Sequence, residues 1–233
     1  MKYCDFYFRD ICYSFVRIRD KNALAQLKEI MVVPDRCDSV FAYCYIDPDA
    51  GITFEILHPA IYGKKEIVAR ESLSVSIKVR AEDYRKSNPV LGIFRDGKNL
   101  LSPLFIDYID SINREYRADD DVEEARTLFQ WDSLRARDFP DNIRALLYKD
   151  EFQPEQVWVK SKKAVDGHIH GVLVNEPDHN YGVHVGDEVV ILPYRSYDEL
   201  IGLIQLHNSP ASEDRYIVGM YFKLQDMRAS VHW

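Results

Sequence analysis

The chain has 233 residues, 46 % of them hydrophobic and 12 % aromatic, which is apolar material for one large domain or two small ones and far from a disordered composition. Its formal charge of −8 argues against a general nucleic-acid binder, because non-specific affinity for phosphate backbones comes from Lys and Arg. After Asp150 there are 7 basic against 12 acidic residues, so long-range attraction in that part favours a basic partner.

At the N-terminus, Lys2, Tyr3, Asp5 and Arg9 interrupt any basic-then-apolar leader, so no export signal is expected and a cytoplasmic location follows. No run approaches the ~18 apolar residues of a membrane helix, and no membrane partner is expected. Cys4, Cys12, Cys37 and Cys44 match neither a C-x-x-C redox pair nor paired zinc knuckles, and are expected as reduced, mostly buried thiols.

Tyr3 to Arg19 is rich in Phe, Tyr, Ile and Val, and the alternation of Tyr13, Phe15, Arg17 and Arg19 against Val16 and Ile18 predicts strand. Asp20 reads as a helix cap for Asn22 to Val33, where Leu24, Leu27, Ile30 and Met31 recur at helical spacing before Pro34. Val40 to Ile46 and Ile52 to Leu57 flank Asp47-Pro48-Asp49-Ala50-Gly51, the pattern of a hairpin. Ser72 to Arg80 alternates strictly, with Leu73, Val75, Ile77 and Val79 on one side, and predicts a strand with one wet face.

Leu100 to Arg117 carries Leu101, Leu104, Phe105, Tyr108, Ile109 and Ile112 on one helical stripe. The acidic run Asp119, Asp120, Asp121, Glu123 and Glu124 could suggest a cation site, but it is the composition favoured in a helix's first turn, and the helix is expected to continue through Ala125, Leu128 and Phe129 towards Leu134. After Pro140, Ile143, Leu146 and Leu147 make a short apolar patch.

Gln156 to Lys162 and His168 to Asn175 are expected as an antiparallel hairpin turned at Asp166-Gly167, the dipeptide that best matches strand twist. Glu176-Pro177 ends that pairing, Gly182 and Gly186 serve turns in the following loop, and Asp187 to Leu192 supplies a third strand. Ser196 to His207 is predicted as a helix with Leu200, Ile201, Leu203 and Ile204 inward, and Tyr216 to Leu224 as a last strand, with Trp233 closing the chain.

These elements sum to an α+β class: an N-terminal antiparallel β-α-β-β-β sheet domain over residues 1–98 with one face buried under a helix, a helical connection over 99–150, and a small antiparallel β module over 151–233. Trp158-Val159-Lys160, Gly171-Val172-Leu173-Val174-Asn175-Glu176-Pro177 and Gly186-Asp187-Glu188-Val189 together resemble the signature of the bacterial domain of unknown function 2314 family. Ala125-Arg126-Thr127-Leu128-Phe129 resembles that family's leading A-R-x-x-F helix, whereas its closing I-x-D-W is replaced after Leu192 by Pro193-Tyr194-Arg195-Ser196-Tyr197. The resemblance implies no activity, since the family has no established chemistry.

Two readings of the last module compete. In the first, Trp158, Asn175, Glu176, His184 and Asp187 form a binding surface in which Asn and carboxylate side chains shape a loop on a rigid sheet, and the chain is a non-enzymatic interaction protein with no cofactor and a protein partner. Charge would suit it to neutralising a basic toxin or accompanying a secretion system. In the second, His168, His170, Glu176 and His184 are metal ligands of an enzyme, since imidazole and carboxylate at such spacing can hold zinc, iron or manganese. No G-x-S-x-G elbow supports a hydrolase triad, and Gly63-Lys64-Lys65 lacks the Gly-rich cradle of a phosphate loop.

Overall fold

The computed structural model describes residues 1–63, 76–94, 103–149, 152–196, 199–204 and 206. The expected strand Tyr216 to Leu224, Trp233 and the first residues of the alternating run from Ser72 lie outside them. The class is α+β. The chain divides into two compact units, one of residues 1–118 with 137–140, the other of residues 119–136 with 141–233. The stretch expected as a separate helical connection is therefore shared between the units, because each of its helices packs on its own sheet.

The first unit opens with a 3-10 turn, Tyr3–Asp5, and a short helix α1, Phe8–Ile11, ahead of β1, Ser14–Arg19. The single long strand expected from Tyr3 is corrected: its apolar residues Tyr3, Phe6 and Ile11 are buried as irregular anchors rather than as one face of a ladder. Helix α2, Lys21–Ile30, starts at Asp20, whose carboxylate accepts the Asn22 and Ala23 amides at 2.8 and 3.3 Å. It buries Ala23 and Leu27 and ends before Pro34 is reached.

Strands β2, Ser39–Asp47, and β3, Gly51–Ala60, form the expected hairpin, in which Asp47 Oδ1 accepts the Asp49 and Ala50 amides at 3.0 and 3.1 Å. With β4, Ile77–Arg80, and β5, Val90–Phe94, they make an antiparallel sheet in the order β4-β3-β2-β1-β5. Between the last two strands lies helix α3, Ala81–Ser87. One face buries Val16, Ile18, Val40, Ala42, Phe54 and Ile56 under α2, α3 and the N-terminal turns. The other buries Phe15, Phe41, Tyr43, Tyr45 and Leu57 under Phe105, Ile109 and Ile112 of helix α4, Pro103–Glu115. The expectation of one covered face is thus corrected to two. That is why β2 and β3 are buried at every position.

In the second unit helix α5, Asp120–Thr127, begins with the acidic residues at its positive dipole end. It stops sooner than expected, and Phe129–Leu134 continues as a 3-10 helix that buries Trp131 and Leu134. Five strands follow: β6, Asn142–Leu147; β7, Glu155–Val165; β8, His168–Leu173; β9, Glu188–Ser196; and β10, Glu199–Ile204. They close into a barrel in the order β10-β6-β7-β8-β9. Each sequential pair is antiparallel, so the fifth strand runs in the direction of the first and the closing pair, Leu203 with Leu146, is parallel.

β10 is the clearest departure from expectation, since Ser196 to His207 was predicted as a helix. Leu200, Ile201, Leu203 and Ile204 fit either period in so short a run, and the unpaired edge of β9 decides it by pairing from Glu199 to Ile204. Gly202 fits this place because an added Cβ would sit 2.8 Å from Ile191 Cγ2 and 3.0 Å from the Arg144 carbonyl. Ile143, Val157, Val159, Ile169, Leu173, Val189 and Ile191 fill the core with Trp131. No helix among the described residues is long and apolar enough to cross a membrane.

Candidate functional site

The β7–β8 hairpin turns at Asp166 and Gly167, with φ of 51° and 81°, as the dipeptide predicts. A bulge between Ser161 and Lys163 adds Lys162, and beyond it Lys163 faces His170 and Val165 faces His168. Ile169, Gly171 and Leu173 point into the barrel and are buried, so His168, His170 and Val172 lie on its outer side. Gly171 is required by the crossing: a Cβ there would collide with the Lys160 carbonyl and come within 2.7 Å of Val159 Cγ1.

After Leu173 the chain leaves the sheet and returns at Glu188 through an exposed loop fixed by its own side chains. Its neck closes by two backbone bonds, Gly186 N–H to the Leu173 carbonyl and Leu173 N–H to the Asp187 carbonyl, each 2.9 Å. Asn175 Oδ1 accepts the Trp158 N–H at 2.7 Å, while the Trp158 carbonyl accepts the Val174 N–H at 2.8 Å. Glu176 uses both oxygens: Oε1 pairs with His184 Nδ1 at 2.6 Å and Oε2 accepts the Val185 N–H at 2.9 Å. Asp187 Oδ2 accepts the His184 N–H at 2.8 Å. Gly182 and Gly186, with φ of 86° and 92°, supply the backbone angles that side chains disfavour.

The far side of the loop is anchored by Tyr181, which is buried and donates its hydroxyl to the Gln153 carbonyl at 2.5 Å. The Asp178 N–H donates to Glu155 Oε1 at 2.8 Å. Electrostatics follow from contact: the hydrogen bond from His184 holds the Glu176 carboxyl below its usual range, and the same bond raises the His184 imidazole. Val174 and Val185, 43 % and 54 % exposed, flank this Glu176–His184 contact.

Trp158, through its backbone, and Asn175, Glu176, His184 and Asp187 are therefore brought together, and the side-chain bonds of Asn175, Glu176 and Asp187 are directed at backbone or at another member. The four expected metal ligands are not: His168 and His170 stay on the outer side of β8, and Glu176 is engaged with His184. Among the described residues no group of three or more His, Cys, Asp or Glu side chains could hold a metal ion.

No protein-family model, curated protein or solved structure matches this chain. Any likeness to a family thus rests on the motif residues themselves, of which Gly171, Asn175, Glu176, Gly186 and Asp187 have the local structural roles described above.

Buried polar groups outside the barrel's loop went unread in the sequence. Glu55, fully buried on β3, accepts from Ser76 Oγ and the Tyr108 hydroxyl at 2.6 Å each and from the Tyr45 hydroxyl at 3.4 Å. Burial, then the Glu55 hydrogen bond, pushes Tyr108 up to about 12. One carboxylate thereby ties α4, β2 and the start of β4 together. The available signal was a charged residue inside the apolar run Ile52-Thr53-Phe54-Glu55-Ile56-Leu57. Asp138, 1 % exposed, likewise accepts the Tyr3 hydroxyl at 2.8 Å and Arg85 Nε at 2.6 Å.

Proposed function

We propose that this chain is a non-enzymatic binding protein that presents the loop from Val174 to Asp187 to a basic protein partner. One observation carries the reading: the loop is exposed, yet its shape is set in advance by the bonds from Asn175, Glu176 and Asp187 to the backbone. A loop already in its binding shape loses little conformational entropy on association, so more of the contact energy appears as affinity. The composition of its surface suits such a use. Val174 and Val185 offer apolar contact, and Glu176, Asp178 and Asp187 give acidic surroundings.

The hairpin's outer face carries Lys160, Lys162, Lys163, His168 and His170, with a single carboxylate, Glu188, held 3.4 Å from Lys162 Nζ. A basic partner is repelled by that face and attracted by the loop. A cytoplasmic role as neutraliser of a basic toxin or as companion of a secretion system is the biological setting this charge suits, and membership of the unknown-function family is compatible with it.

Affinity capture at near-physiological salt, with wild type and a Val174→Asp, Val185→Asp variant compared in the same lysate, tests the reading. The expected result is a Lys/Arg-rich protein that binds wild type, binds it again when both are purified, and is lost with the variant. Recovery of no such protein, or equal recovery by the variant, would overturn it.

A further inference from the structure

Cys12 and Cys44 are far apart in sequence but neighbours in the first unit, with their sulfurs 3.9 Å apart. Both are free thiols. The approach is enforced by backbone. Cys12 ends α1, where its N–H bonds the Phe8 carbonyl at 2.8 Å, and the next residue, Tyr13, turns into β1 with φ of 58°. A bulky aromatic residue rarely adopts that angle. In doing so Tyr13 directs its N–H to the carbonyl of Cys44 itself, at 2.7 Å, just before Ser14 pairs with Cys44 across the β1–β2 ladder. The unusual turn thus places one cysteine over the other.

The two sulfurs differ in access. Cys44 is wholly buried in the core, whereas Cys12 is partly exposed at its edge. Burial raises the Cys44 thiol, which leaves Cys12 as the first sulfur that a dissolved oxidant meets. Cys4 also packs at the border of this core, but no bond joins its sulfur to either member of the pair among the described residues.

We propose that Cys12 and Cys44 are a reversible oxidation site at which hydroperoxide converts two thiols to a disulfide that fastens the start of β1 to β2. Peroxide takes two electrons from the Cys12 sulfur: its O–O bond breaks, an S–O bond forms, and one water leaves with the thiol proton. The Cys44 sulfur then attacks the sulfenic sulfur. The S–S bond forms, the S–O bond breaks, and the second water carries away the Cys44 proton. A dithiol reductant reverses the product to two thiols. The sulfurs need to close from 3.9 Å to a bond of about 2.05 Å, a movement within reach of side-chain rotation when the backbones are already bonded.

The test is peptide mapping under non-reducing conditions of the full chain treated with a small excess of hydrogen peroxide. Trypsin isolates Cys12 in residues 10–17 but leaves Cys37 and Cys44 together in residues 37–64, so a second cleavage after Phe41 or Tyr43 is needed to separate them. The expected result is a fall from four titratable thiols to two, a cross-linked species joining the Cys12 and Cys44 peptides, and full recovery with dithiothreitol. Cys44→Ala should leave Cys12 as sulfenic or sulfinic acid with no internal link, and Cys37→Ser should link as wild type does. A Cys12–Cys37 or Cys4–Cys12 link, four thiols still free, or Cys12 over-oxidised in wild type without any link would overturn the proposal. Circular dichroism before and after treatment keeps the outcome tied to folded protein: a link formed only after loss of structure also counts against it.

Discussion

Arg126 grips Asp141 with two parallel hydrogen bonds, Nε to Oδ1 and Nη2 to Oδ2, both 2.7 Å, and both side chains are nearly out of solvent. The pair joins the last turn of α5 to the residue before β6, and the Asp141 carbonyl also accepts the Ser161 N–H at 2.7 Å. Removing Arg126 takes the guanidinium from a buried carboxylate, which costs about 3–5 kcal/mol, whereas removing Asp141 costs less because Arg126 Nη1 keeps its bond to Glu123 Oε1 at 2.6 Å. We expect Arg126→Ala to unfold the barrel at much lower urea, Asp141→Ala to do so by a smaller margin, and Arg126→Met with Asp141→Leu to recover much of the loss. All three tryptophans lie in the second unit's sequence, at 131, 158 and 233, so intrinsic Trp fluorescence follows this unit selectively. Equal midpoints for wild type and the single variants would refute the assignment.

The pairing of Glu176 with His184 makes the loop sensitive to pH in a defined direction. Raised by its bond to Glu176, the His184 imidazole contributes fixation that is fully present below its unfolded value, about 6.5, and is lost as pH rises through the higher folded value. The lowered Glu176 contributes above its unfolded value, about 4.3, and its share is lost as pH falls through the folded one. The loop is therefore held best between roughly pH 4.3 and 6.5. NMR titration of the His184 ring should give a midpoint above the ordinary imidazole value of about 6.5, and Glu176→Gln should bring it back down. An unchanged midpoint in that variant is the contrary result.

Gly171 and Gly182 offer a comparison of two reasons for glycine. An Ala at 171 meets the Lys160 carbonyl and Val159, and overpacking of this kind costs about 1–3 kcal/mol. An Ala at 182 meets nothing within 4 Å and suffers only from its φ of 86°, a cost of about 1–2 kcal/mol. Chemical denaturation of the two variants, read by Trp fluorescence, should place Gly171→Ala below Gly182→Ala; the reverse order would contradict the close crossing of β7 and β8.

Asn175→Ala removes the acceptor of the Trp158 N–H and should cost about 1 kcal/mol, the net value of one such bond. Its more informative readout is amide hydrogen exchange, which should speed at Trp158 and Val174 while Ile169 is unaffected. Unchanged protection at Trp158 would show that the side chain is dispensable for closing the loop.

Local chemistry was legible in the sequence wherever a residue's role is decided by its near neighbours. Asp20 caps its helix, Asp166-Gly167 turns its hairpin, and Asn175, Glu176 and Asp187 shape the loop that follows them. Partners distant in sequence were not legible. Arg126 with Asp141, Tyr3 with Asp138 and Glu55 with Tyr108 are individually ordinary polar residues until the fold brings them together. β10 belongs to the same class: its six residues carry no decisive period, and only an open barrel edge makes them strand. The segment Ala81 to Phe94, which supplies α3 and edge strand β5, had too little periodic signal to be read at all.

The four residues Arg137–Pro140 carry an implication for anyone dividing this molecule. They belong to the first unit, though the sequence on either side of them belongs to the second. Asp138 alone gives the first unit a carboxylate for Tyr3 and Arg85 and a carbonyl for the Ile52 amide at 2.8 Å. No single cut in the gene separates the units cleanly: a fragment ending at Ala118 leaves Tyr3 and Arg85 without that anion, and one beginning at Asp119 carries a four-residue insert evolved for another body. A usable dissection would circularly permute the first unit or graft 137–140 onto it, and close the second across the gap with a short flexible linker.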